Sequence, residues 1–113
     1  RKKVYSESIK AFLECLRLNP NNPVPYYRVA LDYIALGQDE KALEALLNSI
    51  RLGITNGFAQ YEAARIYQDK NERDKAVEML IKAVKYRPDL ADAHKRLGDE
   101  HVDLDRFDEA IAE

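Results

Sequence analysis

Side chains that ligate metals, attack carbonyls or move protons are few in this chain, and their spacing decides what they can do. His94 and His101 stand seven positions apart, with Asp105 four further on. A helix-borne ligand pair normally stands three or four apart, so a weak divalent-metal site is the lesser reading. Both histidines also occupy positions held one repeat earlier by Gln60 and Tyr67, which predicts packing in the core. The acidic run Asp99, Glu100, Asp103, Asp105, Asp108 and Glu109 lacks the alternating ligands and central glycine of a calcium loop and reads as a solvated helical face. Cys15 falls in a column of small residues, which predicts a buried thiol. A reactive one needs a positive microenvironment that its neighbours do not supply. No glycine-rich phosphate loop and no serine–histidine–aspartate spacing occurs. The expectation is therefore a protein without catalytic residues, without a metal and without a cofactor, and not an enzyme.

Charge narrows the partners. The formal net charge of −2 carries no clustered lysine and arginine excess of the kind that phosphate neutralisation requires, so no nucleic-acid partner is expected. The balance shifts along the chain: residues 1–56 hold 8 basic and 6 acidic side chains, residues 57–113 hold 10 and 14. The lone cysteine rules out an internal disulfide framework and slightly favours a reducing, cytoplasmic setting. No membrane span is expected, because no apolar stretch approaches the roughly 18–20 residues a span needs, and no basic-then-apolar signal segment opens the sequence.

The elements that position these residues follow from a self-comparison. At an offset of 34, small residues recur at Ser8, Ala42, Ala76 and Ala110, large apolar ones at Phe12, Leu46 and Leu80, and small ones again at Cys15, Ser49 and Ala83. A second set repeats at Val29, Ala63 and Leu97, each followed by a small residue, and then at the rings of Tyr33, Tyr67 and His101. Within each unit the apolar positions are three or four apart, as in Tyr26, Val29, Ala30 and Tyr33, so each half is an amphipathic helix. Phe12, Leu46 and Leu80 are expected to be core anchors.

Gly37, Asn71 and Asp105 separate the halves and are residue types that tolerate the left-handed backbone ending one helix before the next. Between units, Asn22 is placed to cap a helix that begins at Pro23, and Arg87-Pro88-Asp89 offers a comparable stop and restart. The middle junction has no proline, but Gly53 can end a helix and Thr55 or Asn56 can cap the next. Helices are predicted near 4–18, 24–36, 40–52, 58–70, 73–86 and 91–104, with a stub from about 107. One domain spans 1–113: a second helix of a partial unit over 1–22, units over 23–56 and 57–90, and a partial unit over 91–113.

The small–aromatic–small columns and the prolines at unit ends, carried by Leu97-Gly98, Tyr33, Tyr67, Ala42, Ala76, Pro20 and Pro88, resemble the tetratricopeptide repeat family. The likeness covers essentially the whole chain and departs from the pattern at Gln60, Ile54 and His101. It implies an all-α, right-handed α-solenoid of antiparallel helix pairs, whose first helices line a concave groove for a protein or peptide ligand. The stripe left over once Tyr26, Val29, Ala30 and Tyr33 face inward is Val24, Tyr27, Leu31, Ile34 and Ala35. Its equivalents are Phe58, Tyr61, Arg65, Gln68 and Asp69, then Asp92, Lys95, Asp99, Val102 and Asp103. This groove runs from apolar and aromatic to acidic, with Tyr27, Phe58, Tyr61 and Arg65 as the residue types that dominate binding energy.

Some members of that family grip acidic C-terminal tails with lysine, asparagine and arginine on the inner helices. The matching positions here are Tyr27, Leu31, Glu62, Asp92 and Arg96, of which only Arg96 suits a carboxylate while Glu62 and Asp92 repel one. A ligand with apolar side chains and a basic end fits better. Two other readings stand beside it: a scaffold or self-associating segment of a longer solenoid, whose open ends expose stacking faces, and the recruiting arm of an enzyme with its catalytic domain elsewhere.

Overall fold

The structure, a computed structural model, describes residues 2–100. The predicted stub from about 107, the last positions of the sixth predicted helix, and His101, Val102, Asp103 and Asp105 lie outside them. Six helices follow in order: α1 (Lys2–Leu18), α2 (Pro23–Ala35), α3 (Asp39–Arg51), α4 (Phe58–Asp69), α5 (Arg73–Tyr86) and α6 (Ala91–Asp99), with no strand among the described residues. Each helix packs on the next in the chain. The array is all-α, and the predicted helix positions agree to within two residues at nearly every described end.

Local chemistry sets the ends. Asn22 caps α2 by accepting a 3.1 Å bond from the Val24 amide, with Pro23 in the first turn, where its missing N–H costs nothing. Gly37 takes φ +74°, and the turn closes by Gly37 N–H to Ile34 O at 2.9 Å and Gln38 N–H to Tyr33 O at 2.8 Å. Asn71 repeats this one unit on at φ +61°, with Asn71 N–H to Gln68 O at 3.0 Å and Glu72 N–H to Tyr67 O at 2.9 Å. Asparagine tolerates that backbone because its short side chain crowds the chain little.

The two junctions between units differ from each other. Asn56, rather than Thr55, serves the start of α4, its Oδ1 accepting from Ala59 N–H at 3.0 Å. Gln60, a departure from the family pattern, is almost fully buried and donates from Nε2 to Ile54 O at 2.9 Å, tying the junction loop to α4. At Arg87-Pro88-Asp89 the stop occurs as predicted, but α6 begins at Ala91 with no side-chain cap.

Two apolar clusters fill the interior. The first centres on Val29, Ala30, Leu46 and Ile66, the second on Ala64, Leu80 and Leu97, and Met79 packs against both. Ala30, Ala42, Ala64 and Ala76 are fully buried, letting neighbouring helices approach closely. Leu46 and Leu80 are fully buried as well, each contributing roughly 1.5–3 kcal/mol.

Three expectations are corrected at the outer helices. Phe12 is only half-buried, and Cys15 is exposed although its equivalents Ser49 and Ala83 are fully buried. Among the described helices α1 packs substantially on α2 alone, so no described helix covers the side that α3 and α5 bury against an earlier helix. His94 is likewise exposed, its Nε2–H directed at Pro88 O at 2.8 Å, where its equivalent Gln60 is buried between helices.

Candidate peptide-binding face

The first helices of the units, α2, α4 and α6, carry the stripe singled out in the sequence. On α2, Val24 is 50% exposed, while Tyr27 and Ile34 pack against the first apolar cluster and Leu31 is half-buried. On α4, Phe58 is 37% exposed and lies under the Arg87 guanidinium, whose central carbon is 4.5 Å from the ring centroid. On α6, Asp92, Lys95 and Asp99 are all exposed. Four of the stripe residues, Tyr61, Asp92, Lys95 and Asp99, meet around one pocket of about 210 Å³, and Arg96 completes its wall. Val24, Tyr27, Leu31, Ile34, Phe58, Arg65 and Gln68 lie outside that pocket.

Arg96 links α6 to α4. Its Nε donates to the Tyr61 hydroxyl at 3.1 Å and one terminal nitrogen donates to Gln68 Oε1 at 2.7 Å. Gln68 in turn donates from Nε2 to Glu100 Oε1 at 2.8 Å, and Glu100 accepts from Arg73 Nε at 2.7 Å. A polar chain therefore runs from Tyr61 on α4 through Arg96 and Glu100 to Arg73 on α5. Arg65 is not a free hot spot either: it pairs with Glu62 at 3.0 Å and reaches Asp69 at 3.7 Å.

Tyr27 has a different electrostatic setting. Burial pushes its phenol pKa up, the Glu62 carboxylate adds to the rise, and Arg28 works against it. Tyr27 and Tyr61 are one repeat apart, as are Arg28, Glu62 and Arg96. Each tyrosine thus looks across to the next unit's member of a column that alternates in sign: Tyr27 to Glu62, Tyr61 to Arg96. That alternation was visible in the sequence; the parts played by Glu100 and Arg73 were not, because neither occupies a repeat column used for the groove.

No group of histidine, cysteine, aspartate and glutamate suited to a metal occurs among the described residues, and no described helix is long and apolar enough to cross a membrane. The arrangement offers shallow, half-buried aromatic surface and exposed charge, which suits recognition of another chain by side-chain contacts.

Comparison with known proteins agrees with this fold. The tetratricopeptide repeat family profile matches residues 59–90. No curated protein sequence matches the chain. Among solved structures, the crystal structure of MamA superposes with a TM-score of 0.79 at 25% identity, over 96% of this chain and 63% of that one. The first tetratricopeptide domain of Spaghetti (RPAP3), bound to the HSP90 peptide SRMEEVD, gives 0.78 at 17% identity, covering 98% and 82%. The Sgt2 tetratricopeptide domain from Aspergillus fumigatus gives 0.72 at 26% identity, covering 98% and 73%. The chain thus spans less than two thirds of the MamA chain it matches. The chain carries the tetratricopeptide repeat sequence pattern over residues 59–90, and its described helices share the fold of these structures.

Proposed function

We propose that this chain is a protein-interaction module that works by binding rather than catalysis, holding an extended peptide or amphipathic helix across α2, α4 and α6. The ligand carries apolar side chains and a basic end. The observation that supports this reading is the change in character along the stripe, from exposed Val24 through Tyr27, Phe58 and Tyr61 to exposed Asp92 and Asp99, which outnumber the one exposed base between them, Lys95. Apolar and aromatic area supplies affinity, and the acidic end sets orientation and excludes carboxylate-rich ligands.

The Spaghetti domain holds the peptide SRMEEVD, which has three acids among its last four residues. A ligand of that kind suits this chain poorly, since Glu62 and Asp92 stand where cations are needed and Arg96 already serves Tyr61 and Gln68. The test is an array of peptides varied in apolar content and terminal charge, read against Val24→Ser with Phe58→Ser and, separately, Asp92→Asn with Asp99→Asn. Loss of apolar peptides in the first and of preference for lysine or arginine ends in the second is expected. Unchanged binding in both, with helicity intact, would sink the proposal.

A second reading, stacking against another repeat or another copy, has its own support: Val4 is 65% and Leu18 70% exposed on α1. Sedimentation across a concentration series tests it, and a constant monomer mass would count against it.

A further inference from the structure

A second groove lies between α1 and α3, over α2. It encloses about 270 Å³ and is walled by Leu13 and Leu16 of α1, Tyr26, Val29 and Tyr33 of α2, and Ala45 of α3, with Lys41, Glu44 and Asn48 along its rim. Leu13 is 46% exposed here. Of these residues only Tyr26, Val29 and Tyr33 belong to a helix of the proposed peptide face, and none of those three is in its stripe.

The next unit contains the same frame in a filled state. Lys41 stands over the Tyr33 ring at 5.8 Å, and its equivalent Lys75 stands over Tyr67 at 5.7 Å. Glu44 corresponds to Glu78, Leu13 to Leu47 and Leu16 to Ile50. Two positions differ in a way that matters. Ala45 corresponds to Met79, whose side chain packs against both apolar clusters, and Tyr67 there is 7% exposed while Tyr33 is half-buried. Asn48 corresponds to Lys82, which pairs with Glu78 at 3.7 Å, whereas Glu44 meets no cation among the described residues. The first unit therefore lacks one flexible apolar side chain and one cation, both of which its neighbour supplies from its own sequence.

We propose that the groove between α1 and α3 is a docking site for a segment of a partner protein that brings both: a methionine or leucine anchor with a lysine or arginine three positions after it. The anchor fills the space over Val29 and Ala45 and covers Tyr33, and the cation pairs with Glu44. An unbranched, polarisable methionine suits an irregular groove of this kind, and Met79 already demonstrates the fit. The occupant copies the spacing of Met79 and Lys82. The site is independent of the α2–α4–α6 face and stands or falls without it.

The experiment is a methyl-resolved NMR titration of the chain with a short helix-forming peptide carrying methionine and lysine at that spacing, where the two share a face. Control peptides have alanine for the methionine or glutamate for the lysine. Saturable shifts at Leu13, Leu16, Val29 and Ala45, lost with the alanine peptide and weakened several-fold with the glutamate one, are expected. Ala45→Met plugs the groove from within and should abolish the shifts while raising or preserving the melting temperature. If Ala45→Met unfolds the chain, Glu44→Lys on the exposed rim gives the second reading, and should weaken the methionine–lysine peptide while strengthening the methionine–glutamate one. Shifts that fail to saturate, that appear equally with the alanine peptide, or that fall on the methyls of Val24, Leu31 and Ile34 instead would overturn the proposal.

Discussion

Arg96 and Tyr61 meet twice: the arginine Nε donates to the phenolic oxygen at 3.1 Å while its central carbon sits 5.6 Å from the ring centroid. The hydroxyl proton remains free to donate, so the pair presents a donor edge to the pocket beside Asp92 and Asp99. Tyr61→Phe should cost about 1 kcal/mol or less, since the site is only partly buried and the ring contact survives. Arg96→Ala should cost more, because the bond to Gln68 goes with it. Urea denaturation of the two variants checks the order, and an equal or reversed order would show that Arg96 does not join α6 to α4 in this way.

The Tyr27 phenol titrates above its ordinary value of 10.0, through burial first and Glu62 second. A folded-state pKa above the unfolded one means that ionisation disfavours the fold. Its contribution is complete below pH about 10 and is lost as pH rises through the folded value. Tyrosinate absorbance, with Tyr27→Phe subtracted to isolate this group, should show its pKa fall in Glu62→Gln but stay above the ordinary value because burial persists. A full return to the ordinary value would assign the whole effect to Glu62 instead.

Of the four glycines, Gly57 has the closest surroundings. At φ +81°, an added Cβ would meet Arg87 Cβ at 2.8 Å and Ala83 O at 3.1 Å, while Gly53, at φ +101°, has open space around it. Gly57→Ala should therefore destabilise by more than about 1 kcal/mol, combining left-handed strain with a contact that backbone must yield to. Gly53→Ala should pay for conformation alone and cost less. Equal melting temperatures for the two would refute the close packing of the α3–α4 junction on the end of α5.

Leu46 and Phe12 hold the same repeat position but different environments. Leu46→Ala, in a fully buried site, should cost about 2–5 kcal/mol. Phe12→Ala removes a larger side chain yet should cost less, because Phe12 is half-buried. Chemical denaturation of both variants decides, and a larger loss at Phe12 would mean that α1 is more deeply packed than it is here.

Asn22 and Asn56 start the two helices that bear most of the proposed peptide face. Replacing either by alanine leaves an amide at the helix start without its acceptor and should cost about 1 kcal/mol. Hydrogen exchange should show the loss as faster exchange confined to the first turn of α2 or of α4. Faster exchange spread evenly over all helices would point to a global effect instead.

What the sequence determined by itself was whatever depends on neighbours along the chain and on the repeat: six helices, the left-handed turns at Gly37 and Asn71, the cap at Asn22, and the columns of alanine that become fully buried. Those features follow from backbone preferences and from a 34-residue register that a linear comparison reveals. Burial at Phe12, Cys15 and His94 did not follow, because a column predicts burial only where helices lie on both sides, and α1 and α6 stand at the ends of the described array. The chain of bonds from Tyr61 through Arg96, Gln68 and Glu100 to Arg73 was hidden for a related reason: its partners lie 27 to 35 residues apart, brought together by the offset between stacked helices. The groove over Ala45 combines both kinds of information. Its missing methionine is written in the sequence, but only the packing of three helices decides that the omission leaves a space rather than a collapsed core.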